Sequence, residues 1–267
     1  MKNFSATKYT LQNVTTGRTF EDTGWLLDDP QGGEPSLIRA NYAKRQIEVG
    51  TEDMGIYRFA DWLPVGRMLK GSCAPITYKS KKLAEVLGLK NLYITFNGYN
   101  PKIGANMRTC SFKETEAYSV CARLRANQED KVLVVASAGN TARAFARVCS
   151  DNNIPLLLSV PEDNLDALWF DTPLNDCVKL IAASKGGDYF DAIHLSNLVL
   201  KSDKFLAEGG AKNIARRDGM ATTVLSATTF IGRIPDYYFQ AIGSGTGAIA
   251  AWEANLRLIE DGRFGSH

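Results

Sequence analysis

The stretch that decides the fold runs Lys131-Val132-Leu133-Val134-Val135-Ala136-Ser137-Ala138-Gly139-Asn140-Thr141. After Lys131 its first part is continuously apolar, which is typical of a parallel strand buried on both faces. Gly139 and Asn140 then break the strand, and a helix is expected from about Ala142 to Cys149. This strand–turn–helix unit indicates an α/β fold.

The rest of the chain repeats this alternation. Strands are expected at residues 92–96, 155–160, 177–182 and 238–242, and helices at 81–87, 188–200, 221–231 and after 247. Two shorter strands around a turn are expected near Lys8–Leu11 and Gly17–Phe20. The alternation predicts an α/β protein with open, mostly parallel sheets, in which ligands lie outside the carboxyl ends of the strands.

The amino-acid composition is that of a globular protein and argues against several kinds of partner and site. The 267 residues are 45% hydrophobic and carry a net charge of +2, so a globular core is expected and neither nucleic acid nor a membrane is indicated as a partner. The five cysteines include no C-x-x-C pair, so we expect no disulfide framework, no metal site and a cytoplasmic location. His194 and His267 are the only histidines, which argues against histidine-based catalysis.

A lysine occupies an unusual position in Arg108-Thr109-Cys110-Ser111-Phe112-Lys113-Glu114. Ser111 and Glu114 have the spacing of a capping box, which predicts the start of a helix. Lys113 then lies in the first turn, where the helix dipole disfavours a cation by roughly 0.3–1 kcal/mol. The same field favours the neutral amine, which is the form that attacks an aldehyde. The alternative is a solvent-facing lysine that tolerates this cost.

Gly243-Ser244-Gly245-Thr246-Gly247 follows a predicted strand and opens a predicted helix. Three glycines let the backbone approach a ligand closely, and the helix N-terminus offers N–H groups to an anion. The pattern predicts a phosphate site, and the alternative is a tight strand-to-helix turn. A dinucleotide fingerprint fits less well because the spacing is G-x-G-x-G.

The turn after the central strand offers a second anion site. Its N–H groups, from Ser137, Ala138, Gly139 and Thr141, can hold a carboxylate, and the Asn140 amide can donate to a ring oxygen. The alternative is that Asn140 or Thr141 only caps a helix. An amine, an amide beside an anion site and a phosphate site together match the needs of pyridoxal 5'-phosphate.

These motifs resemble those of a known family. Ser111-Phe112-Lys113-Glu114 resembles the S-F-K-D/E motif of fold-type II pyridoxal-phosphate enzymes, most closely threonine synthases. Ser137–Thr141 resembles their S-x-G-N-T loop, and Gly243–Gly247 matches their phosphate loop. The resemblance runs from about Trp62 to the end, and it implies the tryptophan synthase β-like architecture.

Within that family the chain is more similar to cysteate synthases, which are threonine-synthase relatives in the coenzyme M pathway of methanogenic archaea. The similarity is carried by Phe96–Tyr99, Thr109–Glu114, Ala136–Ala142, Ala215–Gly219, Tyr238–Ala241 and Trp252–Ala254. Threonine synthases usually have N-P-T-G where this chain has Met107-Arg108-Thr109-Cys110.

The resemblance implies a pyridoxal-phosphate-dependent transferase that converts O-phospho-L-serine and sulfite to L-cysteate and phosphate. Lys113 would be the Schiff-base lysine and the acceptor of the substrate α-proton, and Asn140 would bond the cofactor's ring hydroxyl. The turn formed by Ser137, Ala138, Gly139 and Thr141 would hold the substrate carboxylate. Gly243, Ser244, Gly245, Thr246 and Gly247 would hold the cofactor phosphate.

Several alternatives stay open. Arg108 is hypothesised to receive substrate phosphate or sulfite, and the alternative is an exposed arginine. The enzyme is also open to interpretation as a threonine synthase acting on O-phospho-L-homoserine, or as a non-catalytic remnant. Fold-type II enzymes are often dimers, so a homo-oligomer is one expectation.

Three regions are expected along the chain. Residues 1–62 form a β-knuckle and a connection, 63–235 form an α/β region with the lysine and the Asn140 turn, and 236–267 begin a second α/β domain. Related chains often carry C-x-x-C in the knuckle, where this chain has Asn13–Thr16 and Asp29–Gly32, so no metal ligands are expected there. Family members continue beyond this C-terminus, so we expect a C-terminally truncated chain.

Overall fold

The computed structural model describes residues 3–128, 130–137 and 139–266. These residues contain eleven strands and six α-helices. The strands are β1 Tyr9–Asn13, β2 Thr19–Phe20, β3 Ile38–Tyr42, β4 Ile76–Lys79, β5 Tyr93–Phe96, β6 Tyr99–Asn100, β7 Ala105–Asn106, β8 Val132–Ala136, β9 Leu156–Pro161, β10 Val178–Ala183 and β11 Phe205–Ala207. The helices are α1 Lys82–Leu87, α2 Lys113–Arg123, α3 Asn140–Asp151, α4 Tyr189–Val199, α5 Ile214–Ile231 and α6 Thr246–Asp261.

A four-stranded parallel sheet with the order β10-β9-β8-β11 confirms the predicted fold class. Strands β8 and β9 are apolar because they lie in the centre of the sheet. Their buried side chains pack with those of α2 and α3 in one core, which contains Val120, Phe145, Leu133 and Leu156. This packing places the starts of α2 and α3 side by side at one edge of the fold.

Helix α5 joins this unit to α6. Gly219 permits a close approach to α2, because a Cβ atom at Gly219 would lie 2.5 Å from the carbonyl oxygen of Thr115. On its other side, Arg217 Nε lies 3.0 Å from Glu253 Oε2 of α6, and both side chains are buried. Helix α5 therefore holds α2 and α6 at fixed positions around itself.

The N-terminal knuckle is an antiparallel sheet with the order β2-β1-β3, as the two short predicted strands suggested. Leu11 and Ile38 are fully buried and pack against Ile214 of α5. The two stretches that stand where relatives have C-x-x-C touch each other, since Asn13 Nδ2 donates to Asp29 Oδ2 at 2.9 Å. A hydrogen bond thus joins the two stretches of the knuckle.

Two sequence predictions were wrong. Residues 238–242 form no strand, because no other strand in the described part of the chain lies beside them, and Phe239 and Ile242 are exposed. Helix α5 begins at Ile214, well before the predicted start at Ala221. Its first turns carry Arg216, Arg217 and Asp218, which are buried in ion pairs and so hide the apolar periodicity.

Strands β3, β4, β6, β7 and β11 were not predicted. Strands β4 and β11 are short and lie in stretches rich in turns or charges. The division of the chain into regions at residues 62 and 235 stays a prediction. Within the residues that the structure describes, no helix combines the length and the apolar character needed to cross a membrane.

Candidate functional site

One cavity of about 360 Å³ brings together the starts of α2 and α3 and the loop before α6. It is lined by Phe112, Lys113, Thr141, Tyr189, Arg216, Met220, Ala241, Ile242, Gly243, Ser244, Gly245, Gly247 and Ala248. Two larger cavities lie near the knuckle and contain none of the residues predicted for the site. The cavity at Lys113 is therefore the candidate site.

Lys113 is the first residue of α2, and 18% of its side chain is exposed. Its Nζ lies 3.5 Å from Oε2 of Glu116, one turn further along the helix. It also lies 4.8 Å from the centre of the Phe112 ring. The amine therefore stands at the wall of the cavity between a carboxylate and an aromatic face, which is a less exposed setting than the solvent-facing alternative.

The predicted capping box is wrong in its partners, although the helix begins where it was expected. The Ser111 hydroxyl accepts from the N–H of Lys113 at 3.2 Å. Glu114 turns back further, and its Oε2 accepts from the N–H and hydroxyl of Thr109 at 2.9 and 2.8 Å. Cys110 makes this reversal with a left-handed φ of 53°. Glu114 thus fixes the loop before Lys113 to the helix.

A buried chain of charges extends from Lys113. Glu116 Oε2 accepts from Arg216 Nε at 3.0 Å, and Arg216 NH1 donates to Glu208 Oε2 at 2.6 Å. The Thr141 hydroxyl donates to Glu116 Oε1 at 3.2 Å. Glu116 is fully buried, and burial raises its pKa, while the charges of Arg216 and Lys113 oppose the rise. Charges of alternating sign therefore run from the cavity into the protein.

Sequence reasoning did not assign a role to Glu116, Arg216 or Glu208. The one local signal is the spacing of Lys113 and Glu116, which places both on one face of a helix. Arg216 lies 100 residues from Glu116 in the chain, so no local pattern predicts their contact. Glu208 directly follows β11, at the carboxyl end of a strand of the parallel sheet.

The glycine loop presents an open backbone to the cavity. A Cβ atom at Gly243 or Gly245 would meet no atom within 4 Å, and Gly245 has a φ of 77°. Helix α6 begins directly afterwards at Thr246, and the first N–H groups of a helix have no partners within it. Gly247 is covered instead, because its Cβ would lie 2.5 Å from Gln240 Oε1. The loop can therefore receive an anion on its open side.

The turn after β8 contributes to the cavity through Thr141. Ser137 is buried, and its hydroxyl accepts from the N–H of Gly139 at 3.2 Å. Asn140 is exposed and does not line the cavity, and its Oδ1 accepts from Arg143 NH1 at 3.1 Å. The residue that caps α3 is Gly139, so neither Asn140 nor Thr141 is the cap. Ala138 lies outside the described residues.

Arg108 lies outside the lining of the cavity. Its Nε is 2.6 Å from Asp171 Oδ2, and its NH1 is 3.0 Å from Asp151 Oδ2. The hydrogen bond from Arg108 holds the pKa of Asp171 below its usual range. Two carboxylates therefore already offset the charge that was predicted to receive substrate phosphate or sulfite.

Known proteins match both the sequence and the fold. Residues 74–263 match the family model described as pyridoxal-phosphate dependent enzyme. The chain is 51% identical to the cysteate synthase of Methanothrix thermoacetophila over 259 residues, which cover 97% of this chain and 60% of that protein. It is 48% identical to the cysteate synthase of Methanosarcina acetivorans over 259 residues, which cover 97% of this chain and 61% of that protein.

Among solved structures, diaminopropionate ammonia lyase from Escherichia coli matches with a TM-score of 0.54. The match covers 72% of this chain and 58% of that one, at 16% identity, so it is a likeness of fold alone. The chain spans about 60% of the length of the curated relatives that it matches. Because the family model covers most of the chain, including the cavity, this chain belongs to the pyridoxal-phosphate-dependent enzyme family.

Proposed function

We propose that this chain is part of an enzyme that converts O-phospho-L-serine and sulfite to L-cysteate and phosphate. The identity to the two cysteate synthases supports this reaction class. The observation that carries the proposal is that Lys113 lines one cavity together with Gly243, Ser244, Gly245 and Gly247 of the loop, whereas Thr246 is buried outside its lining. The place of L-cysteate in coenzyme M biosynthesis rests on the resemblance alone.

The residues of the cavity fit pyridoxal phosphate. The open side of Gly243 and Gly245, next to the start of α6, suits a phosphate group, because backbone N–H groups and the helix dipole both favour an anion. When bound, the cofactor supplies an aldehyde that joins a lysine amine and a ring that draws electrons from the substrate α-carbon. In this proposal Lys113 supplies the amine, and the N–H groups of residues 243–247 hold the phosphate.

Lys113 has a second role in the proposal. Once its amine is free, it takes the proton from the substrate α-carbon, and its position in the cavity wall allows it to return that proton later. The turn of Ser137, Gly139 and Thr141, together with Ala138, would hold the substrate carboxylate. Among the described residues of this turn, Thr141 is the one that lines the cavity.

Two assigned roles have less support from the structure. Asn140 must leave its hydrogen bond to Arg143 before its amide can reach the ring hydroxyl of a cofactor. Arg108 must leave two carboxylates before it can receive substrate phosphate or sulfite. Both roles stay predictions.

An assay with both phosphorylated amino acids tests the proposed reaction. The purified chain is incubated with pyridoxal phosphate and O-phospho-L-serine, and phosphate and L-cysteate are measured with and without sulfite. We expect release of phosphate with sulfite and equal formation of L-cysteate, both abolished in Lys113→Met. Threonine formation from O-phospho-L-homoserine without sulfite would instead identify a threonine synthase. A colourless chain that takes up no pyridoxal phosphate would identify a non-catalytic remnant.

We also propose a location in the cytoplasm and, separately, a homo-oligomer. The support for this location is the cysteine pattern, since the five cysteines include no C-x-x-C pair, which fits a reducing compartment. Tyr237 and Phe239 are exposed before α6 with their ring centres 6.5 Å apart, and exposed apolar groups of this kind often mark protein interfaces. Sedimentation velocity would test the oligomer, and a monomer at all concentrations would contradict it.

A further inference from the structure

Glu116 connects the amine of Lys113 to the buried interior. Its side chain is fully buried, and its Oε2 lies 3.5 Å from Lys113 Nζ and 3.0 Å from Arg216 Nε. Its Oε1 accepts from the Thr141 hydroxyl at 3.2 Å. Glu208, beyond Arg216, is the other carboxylate that acts on it. Glu116 therefore faces two cations, one hydroxyl and one more distant carboxylate, from helices α2, α3 and α5 and the end of β11.

We infer that Glu116 accepts the proton that Lys113 releases when its amine becomes a nucleophile. An N–H bond of the ammonium breaks, and its electron pair stays on Nζ as the lone pair that attacks a carbonyl. An O–H bond forms on Oε2 of Glu116, so an ammonium and a carboxylate become an amine and a carboxylic acid with no change in net charge. This inference rests on the proposed role of Lys113 as the cofactor lysine.

The surroundings of Glu116 favour this exchange. Burial raises the pKa of the Glu116 carboxyl, and the nearby charge of Glu208 adds to the rise. The charges of Arg216 and Lys113 oppose it. When Lys113 becomes neutral, one of these two opposing cations is lost, so the protonated carboxyl is favoured further. The proton then stays inside the pair and does not need to reach solvent.

Infrared difference spectroscopy tests the exchange without cofactor. Lys113→Met removes one of the two cations that oppose protonation of Glu116, so we expect the carbonyl band of a protonated carboxylic acid to persist to higher pH than in the unmutated chain. The double variant Lys113→Met/Glu116→Gln should lose that band. The double variant Lys113→Met/Glu114→Gln is the matched control, because Glu114 is buried on the same helix but contacts Thr109, and it should keep the band. A band that disappears over the same pH range in Lys113→Met as in the unmutated chain would overturn the inference.

A second measurement uses the unmutated chain. The rate at which Lys113 captures pyridoxal phosphate is followed across neutral pH by borohydride trapping, and the rate for N-acetyl-lysine methyl ester, a free amine, is measured in parallel for comparison. If the pair shares one proton, the rate at Lys113 is independent of pH, and Glu114→Gln behaves alike. In Glu116→Gln the rate should rise about tenfold per pH unit, as for an amine that must lose its proton to water.

The outcomes separate the two proposals. A tenfold rise per pH unit in the unmutated chain would contradict the role of Glu116 while leaving Lys113 as the cofactor lysine. Trapping on a different lysine would contradict the role of Lys113, whatever the infrared band shows.

Discussion

The amine of Lys113 lies 3.5 Å from the carboxylate of Glu116 on the same helix. The helix N-terminus repels an ammonium at this position, whereas the carboxylate attracts one. Sequence reasoning identified only the first of these effects, because the second depends on a side chain that the fold buries. The site therefore pairs an amine with a carboxylate. The contacts that hold the surrounding structure in place can be tested separately.

Gly219 is expected to be essential for the packing of α5 on α2. In Gly219→Ala the new methyl group would lie 2.5 Å from the carbonyl oxygen of Thr115, so the helices must move apart. We expect a loss of about 1–3 kcal/mol in the free energy of unfolding, measured with urea. Gly247→Ala is the matched control, because its methyl group meets the end of the Gln240 side chain, which can move. Equal stability of Gly219→Ala and the unmutated chain would contradict this packing.

Glu114 is expected to make stability depend on pH. Burial raises the pKa of its carboxyl above the value of about 4.3 in an unfolded chain, although two hydrogen bonds from Thr109 oppose the rise. The folded state therefore binds the proton more tightly, and stability falls as pH rises from about 4 through the folded-state pKa. Glu114→Gln should remove that part of the pH dependence, measured as the difference in free energy of unfolding between the two chains at several pH values. Parallel curves would contradict it.

Arg108 is expected to support the loop that carries Asp171. Arg108→Ala removes the hydrogen bond that lowers the pKa of Asp171, so that pKa should rise towards the ordinary value of about 3.9. Carbon-13 NMR titration of the aspartates measures this. The stabilisation from the depressed pKa is present above about pH 3.9 and is lost as pH falls through the folded-state pKa, and the variant should lack it.

The same variant decides the hypothesis that Arg108 receives substrate. A rise in the Michaelis constants for O-phospho-L-serine or sulfite would support it. Unchanged Michaelis constants together with a shifted Asp171 titration would leave Arg108 with a supporting role in the loop.

The contact between Asn13 and Asp29 is expected to stabilise the knuckle. Asn13 is buried, its Oδ1 accepts from the N–H groups of Thr15 and Thr16, and its amide donates to Asp29. Asn13→Ala should lower the free energy of unfolding by about 1–3 kcal/mol, because a buried side chain loses three hydrogen bonds, one of them to a carboxylate. Gln12→Ala on the same strand is the control, since the Gln12 side chain is only partly buried and bonds Gly17 and Arg39 instead of Asp29. If Asn13→Ala is as stable as Gln12→Ala, the contact between Asn13 and Asp29 does not stabilise the knuckle.

The parallel sheet was predictable because its central strands are continuous apolar runs, such as Val132–Ala136. The start of α5 was not, because Arg216, Arg217 and Asp218 read as surface residues until their distant partners are known. Residues 238–242 have the composition of a strand, but a strand also needs a neighbour to receive its hydrogen bonds.

In the site too, the local motifs were predictable and the contacts between distant residues were not. Lys113 and the loop of Gly243–Gly247 each follow a local motif, and the fold brings them to one cavity. The partners of Lys113 come from α2, α3 and α5, and contacts of that kind depend on the tertiary fold. Asn140 shows the opposite case, since its motif is local but its side chain lies outside the cavity.

The central claim is that Lys113 is the lysine that joins pyridoxal phosphate. The most direct measurement is to incubate the chain with pyridoxal phosphate, reduce it with borohydride and map the modified peptide by mass spectrometry. We expect stoichiometric modification of Lys113, a yellow chain before reduction, and loss of both in Lys113→Met. Lys131, just before β8, and Lys212, just before α5, provide internal references. Modification spread over these lysines, with Lys113 unmodified, would contradict the claim.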